Sequence, residues 1–325
     1  MINPMLTSCT PEDVAAPRHS AHEADELHTG LQAPAAWISP KYLYDALGSK
    51  LFEAICELPE YYPTRTEASI FERYGAEIAR SAGTGATLID LGAGNCAKAA
   101  ALFPLLQPAQ YVAIDISTDF VHDALARLRQ RFPQIAMEAL GMDFSSSFEL
   151  PPQVNAGRRL FFYPGSSIGN FTPDEAQGFL TRLRAQCGND GGVLIGIDLA
   201  KDSATLDAAY DDALGVTSAF NLNLLRHVNR LIDADFDIKG WQHRGAYNAA
   251  MGRIEMHLEA KRAQQVRWPG GGRDFAAGER IHTENSYKYR QADAISLLES
   301  AGFEATRVWT DPQCPFAVIH AQAAG

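Results

Sequence analysis

The chain has 325 residues, 46% hydrophobic and 21% charged, the balance of a globular protein able to bury a sizeable core in one or two domains. Its 28 basic against 39 acidic residues leave a formal charge of −11 with no dense run of Lys and Arg, which argues against nucleic acid as a partner. The five cysteines (Cys9, Cys56, Cys96, Cys187, Cys314) are scattered and never form a C-x-x-C pair, which argues against a disulfide framework and a zinc site and fits a reducing compartment.

Residues 1 to about 35, rich in Pro, Ala, His and acidic groups, read as a loose arm. They lack a basic segment followed by an apolar stretch, so no signal peptide is visible. No apolar run approaches the ~20 residues of a spanning helix. A cytoplasmic protein without a membrane partner is expected. From Leu88 onward short apolar runs alternate with amphipathic helices. Thr87–Asp90 predicts a buried strand, followed by Leu91-Gly92-Ala93-Gly94-Asn95 and an Ala-rich helix. Tyr111–Asp115 predicts a second strand, and Val121, Ala124, Leu125, Leu128 and Phe132 mark one face of the next helix. Met137–Leu140, Leu160–Tyr163 and Val193–Ile197 are further strand candidates. This alternation predicts an α/β fold with a parallel, doubly wound sheet.

The rhythm changes between about 201 and 290. Val216, Phe220, Leu224, Val228 and Leu231 share a helical stripe, and Arg253 to Lys261 alternates with Ile254, Met256, Leu258 and Ala260 on one face. Pro269-Gly270-Gly271-Gly272 signals a turn, and Ile281–Tyr289 a returning strand. These features describe an inserted α+β subdomain. A helical face at Ala294, Ile295, Leu298 and Ala301, stopped by Gly302, then precedes strands at Val308-Trp309 and Phe316–Ile319. That antiparallel finish resembles the class I Rossmann-like methyltransferase sheet.

Asp90-Leu91-Gly92-Ala93-Gly94-Asn95 lies where a first strand turns into a helix, and glycine there lets backbone approach a ligand closely. Asp115, about 20 residues after the loop, suits both hydroxyls of a ribose. Gly92, Gly94 and Ala97 also satisfy the loose dinucleotide pattern, so an NAD(P)-dependent oxidoreductase, or a tight turn with no ligand, stays open. Asp90 favours S-adenosylmethionine, whose cationic methionine portion benefits from a carboxylate. Lys98 faces that ligand's carboxylate if the helix start is suitably placed, and is otherwise a surface lysine. Asp143-Phe144 suits the adenine amino group and ring, with a helix-capping Asp as the alternative. Cys96, at a helix start, is either a thiol of lowered pKa or, better, a small residue packed in the loop. His243, His257 and His282 have no metal-ligand spacing, and no metal is expected.

Further segments, read together, resemble one family: Tyr42-Leu43-Tyr44-Asp45 with Leu51-Phe52, Leu58-Pro59-Glu60-Tyr61-Tyr62-Pro63-Thr64-Arg65, Gly165-Ser166-Ser167-Ile168-Gly169-Asn170, Ala209-Tyr210-Asp211-Asp212 with Phe220-Asn221, Arg253–Met256 and Thr283-Glu284-Asn285-Ser286. From about Pro40 to its C-terminus the chain is similar to the histidine-specific Nα-methyltransferases that make hercynine, the betaine precursor of ergothioneine. The resemblance implies S-adenosylmethionine as methyl donor, L-histidine as substrate, and a substrate domain combining residues 36–64 with 201–289 beside a donor domain of 65–200 and 290–325. It places Tyr44 near the donor as the catalytic candidate and Phe52 and Tyr61 in the substrate pocket. Asn170 and Tyr210 hold the substrate carboxylate, and Gly165 and Ser167 belong to the same substrate loop. Glu284 and Ser286 hold the imidazole beside Met256. Ser167 departs from a common threonine, and the Gly-Ala-Gly-Asn-Cys loop is another departure. The residues themselves agree in part: Glu284 and Ser286, two apart on a strand, share a face, and an anionic acceptor beside a hydroxyl suits a ring with two nitrogens. A methyltransferase for another aromatic amino acid and a non-catalytic ligand-binding protein remain as rivals.

Overall fold

The computed structural model describes residues 21–144 and 148–324, so the first 20 residues of the expected arm, with Cys9, lie outside the described residues. The rest of that arm is corrected: Ala21–Gln32 forms a helix, α1. Leu27 and Leu31, four apart and so on one face, are buried at 1% and 0% exposure in a core, and tertiary packing of that face stabilises the helix. After the short strand β1 (Ala36–Trp37) comes α2 (Ala46–Cys56), whose first turn is capped by Asp45 accepting from the Gly48 N–H at 2.7 Å. The long helix α3 (Tyr62–Ala82) starts with Pro63 in its first turn, where a missing N–H costs nothing.

The alternating region follows as β2 (Thr87–Leu91), α4 (Ala97–Leu106), β3 (Gln110–Asp115), α5 (Thr118–Arg131), β4 (Ala136–Gly141), β5 (Arg159–Tyr163), α6 (Pro173–Gln186) and β6 (Gly192–Asp198). The inserted region is α7 (Ser203–Tyr210), α8 (Val216–Ile232), β7 (Trp241–Asn248), β8 (Arg253–Ala260), β9 (Gln264–Trp268), β10 (Gly271–Phe275) and β11 (Arg280–Tyr287). The chain ends with α9 (Gln291–Ser300), β12 (Phe303–Thr310) and β13 (Phe316–Ala323).

Seven strands form the main sheet in the order β12-β13-β6-β5-β2-β3-β4, all parallel except β13, which runs antiparallel to both neighbours. This is the class I methyltransferase sheet. Its inner strands are buried on both faces, as the continuous apolar runs require, with one core on each side of the sheet. The strand order reverses between β2 and β5. Crevices at such a switch point, outside the carboxyl ends of parallel strands, are where ligands bind in open α/β sheets.

A second sheet, β1-β11-β8-β7, carries its own core with α1, α2, α7 and α8, including Leu27, Ile55, Leu224, Trp241 and Met256. The sequence does not announce β7, because only Trp241 and His243 along it are buried and no alternation develops. The β9–β10 hairpin closes across Pro269-Gly270, so the turn signal was right and the strands flanking it were missed. In β11 the register shifts at Thr283. That bulge buries Thr283 and Glu284 in succession and turns Glu284 and Ser286, rather than Thr283 and Asn285, to the buried face beyond it. The chain leaving β11 returns to the main sheet, where the Tyr289 N–H donates to the Asp198 carbonyl at 3.2 Å. The carboxyl end of β6 thus meets the end of β11.

Candidate active site

The first half of the site lies at the carboxyl ends of β2 and β3. Gly92 (φ 71°) and Gly94 (φ 51°) occupy the left-handed region that side chains disfavour. The Gly94 N–H donates to Asp115 Oδ2 at 2.9 Å, and the Ser117 N–H to Asp115 Oδ1 at 2.9 Å, so glycine loop and carboxylate are held as one unit. A Cβ at Gly92 would stand 4.0 Å from the Phe144 ring, which places Phe144 beside the loop. Asp90 is 2% exposed; its Oδ2 accepts from the Tyr111 hydroxyl at 2.7 Å, and its Oδ1 has no partner among the described residues. Burial pushes this carboxyl up to about 7, with Tyr111 and Lys98 opposing. An orphaned acid at the base of an open glycine loop fits a ligand that carries a cationic amino group.

Lys98, in the first turn of α4, does not point freely outward: its ammonium pairs with Glu67 of α3 at 2.7 Å. Glu67 is fully buried, and its other oxygen accepts from the Gly165 N–H at 2.8 Å. Lys98 therefore stands between the glycine loop and the loop after β5. Asp143, after β4, faces Lys41 at 3.4 Å, and Lys41 also pairs with Glu26 of α1 at 2.5 Å. Cys96 is fully buried, and burial pushes its thiol up to about 12. A lowered thiol pKa is thereby corrected, and the packed small residue is the outcome.

The second half lies between α2, α3, α7, α8 and β11. Phe52 and Phe220 stand edge-on or tilted to Tyr44 and to each other with centroids 5.5 to 6.0 Å apart. Tyr61 meets Phe52 and Tyr210 at 6.1 Å. At the floor of this aromatic wall the Tyr210 and Ser286 hydroxyls are 2.8 Å apart, and the buried ammonium of Lys288 donates to both, at 3.2 and 2.8 Å. Glu284 is 8% exposed and paired in register with Met256, itself 1% exposed. Among the described residues its carboxylate makes no hydrogen bond; burial pushes it up to about 7, with Lys288 opposing. A buried acceptor without a partner costs free energy in the folded chain, and such a cost is repaid only when a donor arrives.

The loop after β5 links the halves. Gly165 (φ 76°) and Ser166 (φ 60°) turn it, the Ser166 hydroxyl accepts from the Asp198 N–H at 2.8 Å, and a Cβ at Gly169 would lie 2.8 Å from the Tyr287 carbonyl oxygen. The close approach seats Asn170 against the end of β11, with its side-chain amide unpaired among the described residues. The Ser167 hydroxyl turns back to the Pro164 carbonyl at 3.4 Å. Tyr44 spans the junction: its phenol is within electrostatic range of both Glu284 and Asp115. Burial holds the phenols of Tyr44, Tyr61 and Tyr210 above their ordinary value, so all three are neutral donors rather than phenolates.

The structure thus gathers Tyr44, Phe52, Tyr61, Asn170, Tyr210, Met256, Glu284 and Ser286 beside the corner made by Asp90, Gly92, Gly94, Asp115 and Phe144. Sequence reasoning missed Glu67, Asp198 and Lys288 as neighbours of the site. It gave Phe220 no role there, although Phe220-Asn221 is among the segments that carry the resemblance and Phe220 also lies on the helical stripe. Lys288 had a usable signal, since it continues the two-residue period of Glu284 and Ser286, and Asp198 stands at the end of a parallel strand. Among the described residues no group of three or more His, Cys, Asp or Glu side chains is placed to hold a metal ion, and no helix is long and apolar enough to cross a membrane.

Residues 23–323 match the sequence profile of a family described as histidine-specific methyltransferase, SAM-dependent. The histidine N-alpha-methyltransferase of Mycolicibacterium smegmatis is 41% identical over 297 residues, which cover 90% of this chain and 92% of that protein. The protein of the same name from Mycobacterium tuberculosis is 39% identical over 292 residues, covering 88% and 90%. Ergothioneine biosynthesis protein 1 of Neurospora crassa is 32% identical over 277 residues, 82% of this chain but 31% of its own length.

Proposed function

The chain belongs to the histidine-specific, S-adenosylmethionine-dependent methyltransferases, and from that premise we propose that it methylates the α-amino nitrogen of L-histidine to the trimethylated betaine hercynine, the first step of ergothioneine biosynthesis. The observation that carries the substrate is Glu284: a buried, unpartnered carboxylate two residues from a hydroxyl, at the floor of an aromatic wall. An imidazole offers one N–H to that carboxylate and one nitrogen to the Ser286 hydroxyl. An indole or a phenyl ring leaves one or both groups unsatisfied, which disfavours the other aromatic amino acids.

Asp115 is suited to the ribose of the donor, Phe144 and Asp143 to its adenine, and Asp90 and Lys98 to its methionine portion. The donor supplies a methyl group already activated on a sulfonium. The residues of this chain then have to bind, align and exclude water. Asn170 and Tyr210 fit the substrate carboxylate, which together with the ring anchored at Glu284 fixes two points of the amino acid. With both ends fixed, the amine is directed to the junction at Tyr44, where alignment of nucleophile and methyl carbon supplies the rate. Only the free amine lone pair attacks. A desolvated site beside a cation favours loss of its proton, and the neutral phenols leave that proton to solvent rather than to a tyrosinate base.

Incubation with L-histidine and S-adenosylmethionine, followed by mass measurement of the amino acid, should show gains of one, two and three methyl groups. No gain, with donor binding intact, overturns the substrate. Glu284→Ala should cut histidine turnover far more than donor affinity; equal loss of both makes Glu284 structural.

A further inference from the structure

The floor of the acceptor side carries an arrangement of charge that the contacts assigned above do not use. Lys288 lies on the β11 face of Glu284 and Ser286, and its side chain and that of Asp198 are both 0% exposed, 2.9 Å apart. An ammonium has three N–H groups. Those of Lys288 go to Asp198, to Ser286 Oγ at 2.8 Å and to Tyr210 Oη at 3.2 Å, so none is left for a ligand. Asp198 is shared. Its Oδ1 takes the ammonium of Lys201, and its Oδ2 also accepts from the Tyr62 hydroxyl at 2.6 Å. Lys201 and Lys288 share one paired anion, Asp198. Glu284, the other carboxylate within electrostatic range of Lys288, makes no hydrogen bond to it, so the positive field of Lys288 is passed on through the two hydroxyls it bonds. Although burial works against its charge, Asp198 holds Lys288 firmly in the charged form.

The same geometry orients the hydroxyls. Tyr210 and Ser286 both accept from Lys288, so their lone pairs turn toward it and their protons away. Without ligand one proton is spent on the bond between them. With histidine in place that bond can be exchanged, so that the Ser286 proton turns to the ring nitrogen and the Tyr210 proton to the carboxylate. An outward hydroxyl donor backed by a buried positive charge is a receptor for an anion, and desolvating a carboxylate is costly without such compensation.

Resting on the histidine reading above, we propose that Lys288 is the specificity-determining residue for the carboxylate of the substrate, acting as a positioning residue through Tyr210 and Ser286 without touching the ligand. It makes the enzyme select amino acids over the corresponding amines and amides.

The test compares L-histidine with L-histidinamide, which keeps the ring and the α-amine and lacks the anion. For wild type, Lys288→Met and Lys288→Arg, kcat/KM is measured with each substrate, and S-adenosylhomocysteine affinity reports an intact donor side. Wild type should favour histidine. Lys288→Met, in which Asp198 still has Lys201 and Tyr62, should lose about tenfold or more on histidine and much less on histidinamide, the scale of a charge-assisted hydrogen bond reduced to a neutral one. Lys288→Arg should restore most of the preference. Equal losses on both substrates, or an unchanged preference in Lys288→Met, overturn the proposal. Should Lys288→Met fail to fold, Lys288→Gln keeps polar contact with the hydroxyls without the charge and is read by the same ratio. If wild type methylates neither compound, the histidine reading fails before this one is reached.

Discussion

Replacing Glu284 by Gln keeps the size of the side chain and removes its ionisation. Burial, opposed by Lys288, raises the folded-state carboxyl from an ordinary 4.5 to about 7. The folded protein therefore holds this proton more tightly than the unfolded chain. The resulting stability is fully present below about pH 4.5 and is lost as the pH rises through about 7. At 1.36 kcal/mol for each tenfold change in proton affinity, the loss comes to about 3 kcal/mol. For a chain of this size it corresponds to about 6 °C in Tm, taking about 2 °C per kcal/mol. Thermal unfolding without ligand, from pH 4.5 to pH 8.5, should show Glu284→Gln gaining about that much on wild type as the pH rises. Asp90 is raised to about 7 by the same cause but is present in both proteins, so it cancels from the difference. Saturating L-histidine should then raise the wild-type Tm far more than that of the variant, since the charge-assisted bond to the ring is worth about 1.5–3 kcal/mol. A difference that does not change with pH would refute the desolvated carboxylate. Equal stabilisation by histidine would refute its grip on the ring.

Gly169→Ala places a Cβ 2.8 Å from the Tyr287 carbonyl oxygen, so the Asn170 loop must lift from β11. Histidine turnover should fall by about tenfold or more while S-adenosylhomocysteine affinity, read by calorimetry, is kept. Asp115→Ala removes the carboxylate that anchors Gly94 and Ser117, and should weaken donor binding by about 10- to 100-fold in the same assay; unaltered affinity would remove Asp115 from the donor site. Cys96, buried with its thiol pushed up to about 12, should resist iodoacetamide at pH 8 in the folded protein and react on denaturation, as peptide mapping would show.

Local pattern was enough for the parallel strands, the glycine corner and the helical stripe of α8, because a buried strand or an amphipathic helix writes its period into a few neighbouring residues. Order of motifs was enough for the family resemblance, from Tyr44 through Asn170 to Glu284 and Ser286. By itself the sequence therefore determined the elements that carry the glycine corner, Met256, Glu284 and Ser286, whereas Phe52, Tyr61 and Tyr210 were reached only through the order of motifs. Tertiary structure alone decided who meets whom. The bulge at Thr283 selects the face that Glu284 presents, α1 is helical because Leu27 and Leu31 find a core, and Lys288 and Lys201 share Asp198. Periodicity reports the direction of a side chain within its own element, whereas the charge, hydrogen bond or apolar surface that completes it is supplied by segments distant along the chain.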